Sequence, residues 1–185
     1  LDISDNDLDG DGQLEVVITN RKGSAANQSQ ILVLDYDKFV FDTGGDNPDQ
    51  GLNENWSVAA VSYGVDVDST FYTESNNSRT VIGGMDMDND GAKEVIATDY
   101  AGNRVVVFEY NATATPPAFD VVWTAPTTTS HYYSSPRTVG VGDLDGDGRP
   151  EIVFPSANED SEGYHVYEWD GIIGSDNYGD AFSSV

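Results

Sequence analysis

Three acidic segments with one shared pattern constrain this chain more than any other feature of its sequence. They read DLDGDGQLE at 7–15, DMDNDGAKE at 86–94 and DLDGDGRPE at 143–151. Each has Asp at positions 1, 3 and 5, Gly at position 6 and Glu at position 9, and branched apolar residues follow directly. Self-similarity of this kind indicates a chain built from repeated structural units.

A second pattern follows each acidic segment. The segments ILVLDYD at 31–37, VVVFEYN at 105–111 and YHVYEWD at 164–170 share an apolar residue, an acid, an aromatic residue and then Asp or Asn. The two patterns recur in the same order, so the chain is predicted to contain three units of about 60 residues with variable loops.

The units are predicted to be made of strands. Short runs rich in Val, Ile, Thr and Tyr alternate with Gly, Asn, Asp and Ser, and no segment has helical periodicity. Each unit offers four strands, although the last strand of the third unit has weak support in GSDNYGDAFSSV. Four short antiparallel strands per repeat are typical of a β-propeller blade. We therefore predict an all-β chain with about three blades, at 1–65, 66–128 and 129–185, forming a partial propeller or part of a larger assembly.

The acidic segments are predicted to be calcium loops. Ca²⁺ takes about six to eight oxygen ligands, and carboxylates at alternate positions of a tight loop can converge on one point. Gly at position 6 permits the sharp turn, position 7 can offer its backbone carbonyl, and position 9 brings the last carboxylate. The predicted ligands of about three Ca²⁺ ions are Asp7, Asp9, Asp11, Gln13 and Glu15; Asp86, Asp88, Asp90, Ala92 and Glu94; and Asp143, Asp145, Asp147, Arg149 and Glu151.

Ordinary acidic turns and sites for a different metal fit these loops less well. Asp-Gly is a favoured turn pair, but four carboxylates in each of three loops would repel strongly without a cation. Mg²⁺ tolerates crowded protein cages poorly, and soft metals are disfavoured in a chain with no Cys and two His. An EF-hand loop places its Glu at position 12 between two helices, whereas here the acid is at position 9 and a strand follows.

These loops resemble the FG-GAP/VCBS-type repeats of bacterial exported proteins and the calcium-binding blades of integrin α-subunit propellers. The resemblance covers nearly the whole chain, and the VCBS type is the better match because the literal Phe-Gly…Gly-Ala-Pro signature is absent. It implies a seven-bladed propeller as the commonest parent, with a calcium loop between the first two strands of each blade. It implies no single function, because such propellers serve adhesion, carbohydrate binding and enzyme accessory roles.

The charge of the chain excludes some partners. The sequence has 33 Asp and Glu against 8 Lys and Arg, for a net charge of −25. A basic face for nucleic acid or for an anionic membrane surface is therefore absent, and no apolar run is long enough to span a bilayer. We expect a secreted or cell-surface module. Since three blades leave two faces open, further blades are expected from the same longer chain or from other copies.

No catalytic motif is recognisable. The sequence has no Gly-x-Ser-x-Gly elbow, no phosphate-binding Gly loop and no paired-His motif. His165 lies among alternating strand residues, where a structural role is favoured. We expect a binding or structural module rather than an enzyme. The alternatives are a propeller domain of a polysaccharide-active enzyme, for which spare carboxylates abound, and a structural subunit of a surface filament.

Loops opposite the calcium loops are predicted to carry the ligand surface, for a protein or a carbohydrate. Aromatic residues there could stack on a sugar or grip a protein, or could instead fill gaps between blades. The three Trp residues, Trp56, Trp123 and Trp169, are assigned to the core between blades. The ligand candidates are Phe71, Tyr72, His131, Tyr132 and Tyr133, and possible N-glycosylation sequons lie at Asn27, Asn55, Asn76 and Asn111.

Overall fold

All regular structure in the described part of the chain is β-strand. Among these residues, no helix is long and apolar enough to cross a membrane. The computed structural model describes residues 7–8, 12, 14–19, 29–41, 52–63, 79–99, 104–113, 118–125, 137–158 and 161–182.

The strands form three successive antiparallel meanders, which we call the first, second and third blades. The second and third blades each have four strands, as the sequence predicts. The first blade has β1 (Val16–Thr19), β2 (Ser29–Phe41) and β3 (Leu52–Tyr63); the second has β4 (Val81–Met85), β5 (Glu94–Asp99), β6 (Arg104–Asn111) and β7 (Ala118–Thr124); the third has β8 (Gly140–Gly142), β9 (Glu151–Asn158), β10 (Ser161–Trp169) and β11 (Tyr178–Phe182).

The described strands differ from the predicted ones mainly at the two ends of the chain. The weakly supported last strand of the third unit is present as β11, which pairs with β10 and has a register shift between Val166 and Tyr167. A parallel pair, Val61 with Ala118, joins β3 to β7, so the first two blades share one seven-stranded sheet. The strand predicted near 1–5 and the boundaries predicted at 65/66 and 128/129 lie outside the described residues.

The second blade is buried on both faces. Side chains alternate across a strand, so neighbouring residues of β5 enter different cores: Val95 and Ala97 enter one and Ile96 the other. Burial on both faces explains why the strands of this blade are nearly continuous apolar runs. The core towards the first blade contains Leu8, Val17, Val81, Val95, Ala97, Val106, Phe108 and Phe119; the core towards the third contains Met87, Ile96, Val105, Val107, Ala125, Val139, Ile152, Phe154, Tyr167, Trp169 and Tyr178.

Aromatic rings fill the space between the second and third blades. The ring of Trp123 on β7 meets Tyr167 and Tyr178 edge-on, with centroids 5.1 and 5.2 Å apart. Trp169 is buried, and its indole N–H donates to the Ser175 carbonyl at 2.9 Å. Both Trp residues lie where the sequence placed them. The side chain of Trp56 is outside the described part.

Candidate metal centre

The acidic loops occupy equivalent places in their blades. The second loop (86–94) joins β4 to β5, the third (143–151) joins β8 to β9, and the first (7–15) runs into β1. In the second and third blades, the Glu at position 9 is also the first residue of the following strand. Strand pairing therefore fixes the backbone of the last predicted ligand.

The three loops share two hydrogen bonds that hold their end carboxylates. The backbone N–H at position 2 donates to Oε2 of the Glu at position 9, and the Gly N–H at position 6 donates to Oδ2 of the Asp at position 1. The pairs are Leu8 with Glu15, Met87 with Glu94 and Leu144 with Glu151; and Gly12 with Asp7, Gly91 with Asp86 and Gly148 with Asp143, the last three at 3.2, 3.2 and 3.0 Å.

The loop backbone needs left-handed residues at two positions. Position 6 has φ of 97° at Gly91 and 89° at Gly148, which only Gly adopts without strain. Position 4 is left-handed as well, with φ of 59° at Asn89 and 80° at Gly146. Asn is among the few residues with a Cβ that tolerate this region. The turn at position 6 was predicted from the sequence, whereas the one at position 4 was not, although Gly or Asn stands there in every loop.

The structure brings together four carboxylates at each of the second and third loops. In each cluster, one ligand oxygen per residue lies within 4.8 Å of all the others. The second cluster includes Glu109, which was not predicted, and does not include Asp86. The clusters are Asp88, Asp90, Glu94 and Glu109; and Asp143, Asp145, Asp147 and Glu151.

In the first loop, only the predicted end ligands Asp7 and Glu15 are described. Asp9, Asp11 and Gln13 lie outside the described residues. At position 7 of the two later loops, the backbone N–H groups of Ala92 and Arg149 donate to the Asp at position 5, at 2.7 and 2.9 Å.

Several ligand oxygens are buried without a hydrogen bond. Within the described part of the chain, this holds for Asp86 Oδ1, Asp88 Oδ2, Glu94 Oε1 and Glu151 Oε1. An unpaired buried polar atom costs about 1–3 kcal/mol, and more when the group is charged. In Glu94 and Glu151, one oxygen accepts the loop hydrogen bond while the second has no partner. The residues therefore fit a hard cation, which would satisfy these oxygens.

Burial disfavours the ionised form of Glu94 in the second loop and of Glu109 beside it. Burial, together with the charges of Asp88 and Glu109, raises the pKa of Glu94 to about 8. Burial likewise raises the pKa of Glu109 to about 7, with Asp176 and Asp90 contributing. A nearby divalent cation would reverse this preference, because it favours the charged carboxylate.

Glu109 is the acid of the second sequence pattern, and strand pairing explains its place. Glu94 on β5 lies opposite Glu109 on β6, and Glu151 on β9 lies opposite Glu168 on β10. The pattern was visible in the sequence, but its register against the calcium loop was not. The acid of this pattern thus stands beside the position-9 Glu in both blades.

The third loop differs from the second in having a positively charged side chain of its own. Arg149 at position 7 bridges Glu168 through Nη1 at 2.6 Å and also pairs with Asp147, to which Nε donates at 2.7 Å. Hydrogen bonds from Arg149 lower the pKa of Asp147. The second loop has Ala92 at this position, so Glu109 is not compensated in the same way.

Most residues predicted for ligand binding or glycosylation are not described. Phe71, Tyr72, His131, Tyr132, Tyr133, Asn27 and Asn76 lie outside the described residues, and Asn55 lies in β3 without a described side chain. Asn111 Nδ2 donates to Asp120 at 2.8 Å, and the Thr113 hydroxyl of the same sequon donates to Asn111 Oδ1 at 2.6 Å. The ring of His165 stacks on Phe154 with centroids 5.0 Å apart.

Blade-like antiparallel sheets with an acidic loop between their first two strands define a class of repeat protein. Residues 86–154, which include every carboxylate of the two clusters, match the family described as FG-GAP-like repeat. This part of the chain is therefore similar to an FG-GAP-like repeat, consistent with the resemblance seen in the sequence. Such repeats are typical of extracellular or surface proteins. No curated protein and no solved structure gives a match to this chain.

Proposed function

We propose that this chain is an extracellular, calcium-binding β-propeller module in which three acidic loops each hold one Ca²⁺ ion. The main support is the loop scaffold, which holds the first and last carboxylates by the same two hydrogen bonds in every loop. It leaves buried oxygens of Glu94 and Glu151 without hydrogen bonds within the described part. The extracellular assignment is supported by the family match.

The ligand chemistry favours Ca²⁺ over softer or smaller ions. Both described clusters consist of carboxylates alone, and the chain has no cysteine. Hard, many-oxygen sites of this kind suit Ca²⁺, whereas Mg²⁺ keeps several waters and prefers fewer protein ligands. The bound ions would neutralise part of the net charge of −25 and stiffen one face of the blades.

The module serves adhesion, ligand binding or surface structure, without catalysis. Its ligand, a protein or a carbohydrate, would bind the face opposite the calcium loops, where the sequence places Phe71, Tyr72, His131, Tyr132 and Tyr133. Binding to a glycan panel, with analysis of products, tests this assignment. Loss of binding in a Tyr132→Ala, Tyr133→Ala variant supports it, and turnover of a glycan contradicts it.

Thermal unfolding with and without calcium tests the metal assignment. Extracellular calcium modules bind with a Kd of about 10⁻⁴–10⁻³ M. At ten times that Kd, each ion adds about 1.4 kcal/mol, or about 4 kcal/mol for three ions. For a domain of this size, we expect excess EDTA to lower Tm by about 8–16 °C and calcium to restore it.

Tyr164→Phe is a suitable control, because Tyr164 is exposed on β10 and lies outside all three loops. This variant should keep the full calcium response. A native chain whose Tm is the same in EDTA and in calcium would contradict the proposal.

A further inference from the structure

The second loop is covered by a turn from the third blade. The segment 170–178 connects β10 to β11, and within it the Gly174 N–H donates to the Asp88 carbonyl at 3.1 Å. Gly174 has φ of 74°, and a Cβ there would lie 3.8 Å from the Cβ of Asp90. The turn therefore packs directly on the backbone and side chains of the second loop.

This turn is organised by its own hydrogen bonds. The Asp170 carboxylate accepts from the Ile172 N–H at 2.9 Å, from the Ser175 hydroxyl at 2.9 Å and from Asn177 Nδ2 at 3.0 Å. The side chain of Asp170 thus braces the turn from inside. The position of Asp176, two residues after Gly174, is set before any ion binds.

Two polar groups of this segment reach the second loop without a hydrogen-bond partner among the described residues. Asp176 Oδ1 is buried and unpaired, and so is the hydroxyl of Tyr178, whose side chain is 3% exposed. Burial, then the charges of Asp88 and Asp90, raise the pKa of Asp176 to about 6. Burial, then the charges of Glu94 and Asp176, raise the pKa of the Tyr178 hydroxyl. Because the Gly174 N–H donates to the Asp88 carbonyl and Tyr178 packs in the same core as Met87, the segment that carries both groups lies against the second loop.

We propose that the second loop is an inter-blade cation site, in which Glu109 from β6 and Asp176 from the third blade join the loop carboxylates around one divalent ion. The ion then ties the third blade to the second. This inference rests on the calcium binding proposed above and adds two ligands that lie outside the nine-residue loop.

Ligand number supports the arrangement. Ca²⁺ needs about six to eight oxygens, whereas the cluster of Asp88, Asp90, Glu94 and Glu109 brings together one oxygen from each residue and includes neither Asp86 nor Asp176. A carboxylate from the turn would supply further oxygens. The third loop is arranged differently, because Glu168, the counterpart of Glu109, is bound to Arg149.

Hydrogen exchange on the full chain, read by peptide during a calcium titration, tests the inference. Calcium should slow exchange in peptides covering 86–94 and 170–178 at the same calcium concentration. In an Asp90→Asn variant, both peptides should lose this protection while 143–151 keeps it. Protection of 86–94 with no change in 170–178 would overturn the inference and leave the proposed function standing. If none of the acidic loops responds to calcium, the proposed function itself fails.

Isosteric variants provide a second readout. Asp176→Asn and Glu109→Gln should each weaken calcium protection of 86–94 by about tenfold, equivalent to about 1.4 kcal/mol. They should also raise Tm in EDTA, because each removes a repulsive charge from the metal-free cluster. This rise distinguishes a lost ligand from a damaged fold. Glu168→Gln, the matched control, should leave protection of 86–94 unchanged. A change of less than twofold in both test variants would overturn the inference.

Discussion

The second and third acidic loops have the same backbone scaffold in different surroundings. The position-2 residue is 0% exposed at Met87 and 64% exposed at Leu144. The second loop lies under the 170–178 turn of the next blade, whereas no described residue covers Leu144 in the same way. The acidic pattern is therefore local to each loop, whereas the burial and charge compensation of its carboxylates are set by neighbouring strands and blades.

The two loops also differ in how the charge of the neighbouring glutamate is compensated. Glu168 beside the third loop is paired with Arg149, whereas the pKa of Glu109 beside the second loop is raised to about 7 by burial and by the charges of Asp176 and Asp90. The second loop therefore combines deep burial with uncompensated carboxylates. We expect it to be the loop that most needs a cation.

Truncating position 2 should have the largest effect and should separate the two loops. Met87→Ala removes a fully buried side chain from the core between the second and third blades, at a cost of about 2–5 kcal/mol. Leu144→Ala, at the equivalent exposed position, should change the free energy of unfolding by less than about 0.5 kcal/mol. Denaturant unfolding of both variants measures the difference. Equal losses would show that both loops are covered alike.

Stability without metal should depend on pH, chiefly through the second loop. The pKa of Glu94 is about 8 in the folded chain and about 4.5 in the unfolded chain. The folded state therefore holds extra protons, so its stability is highest below about pH 4.5 for this group and falls as pH rises towards about 8.

In EDTA, we expect the free energy of unfolding to fall by more than about 1.4 kcal/mol between pH 5 and pH 8. This amount corresponds to a shift of one pKa unit. Saturating calcium should largely remove this slope, because the ion favours the charged carboxylates. Glu94→Gln should flatten the slope in EDTA, with Tyr164→Phe, at an exposed position on β10, as the control that retains it. An EDTA stability that rises over this range would contradict the burial of ionisable groups described here.

The smallest expected effect belongs to the third loop. Arg149→Met removes the partner of Glu168 and Asp147, but the arginine is partly exposed, so the free energy of unfolding in EDTA should fall only slightly. The same change should strengthen calcium binding at 143–151, because it removes a positive charge near the ligands. Calcium titration followed in that peptide provides the measurement, and weaker binding would contradict the compensating role of Arg149.

Much of the fold could be predicted from local sequence. Strict spacing of Asp and Gly, followed by Val and Ile, is enough to place the loops and the strands that follow them. Strand β11 was poorly predicted because its sequence, YGDAF, carries Gly and Asp, and its clearest anchor is Tyr178, buried against the second blade. Burial between the blades favours β11, and strand propensity does not report such burial.

The sequence predicts only those residues of the candidate site that lie within one acidic loop. The end carboxylates Asp7, Asp86, Asp143 and their partner glutamates are placed by spacing within nine residues, and they stay predicted ligands. Glu109 joins the cluster because β6 pairs with β5 in a particular register. Asp176, the further ligand proposed above, lies in a turn of the next blade. The spacing of residues within one loop predicts neither position. The acid of the second pattern was nevertheless a signal for Glu109, because it recurs at a fixed place before an aromatic residue.

Counting the calcium ions on the chain tests the central claim most directly. Native mass spectrometry of the full chain in calcium should find three ions per chain. A variant with Asp88→Asn and Asp145→Asn should retain one ion, in the first loop, since each change removes a carboxylate from one cluster. If the native chain and this variant carry the same number of calcium ions, the acidic loops are not the calcium sites.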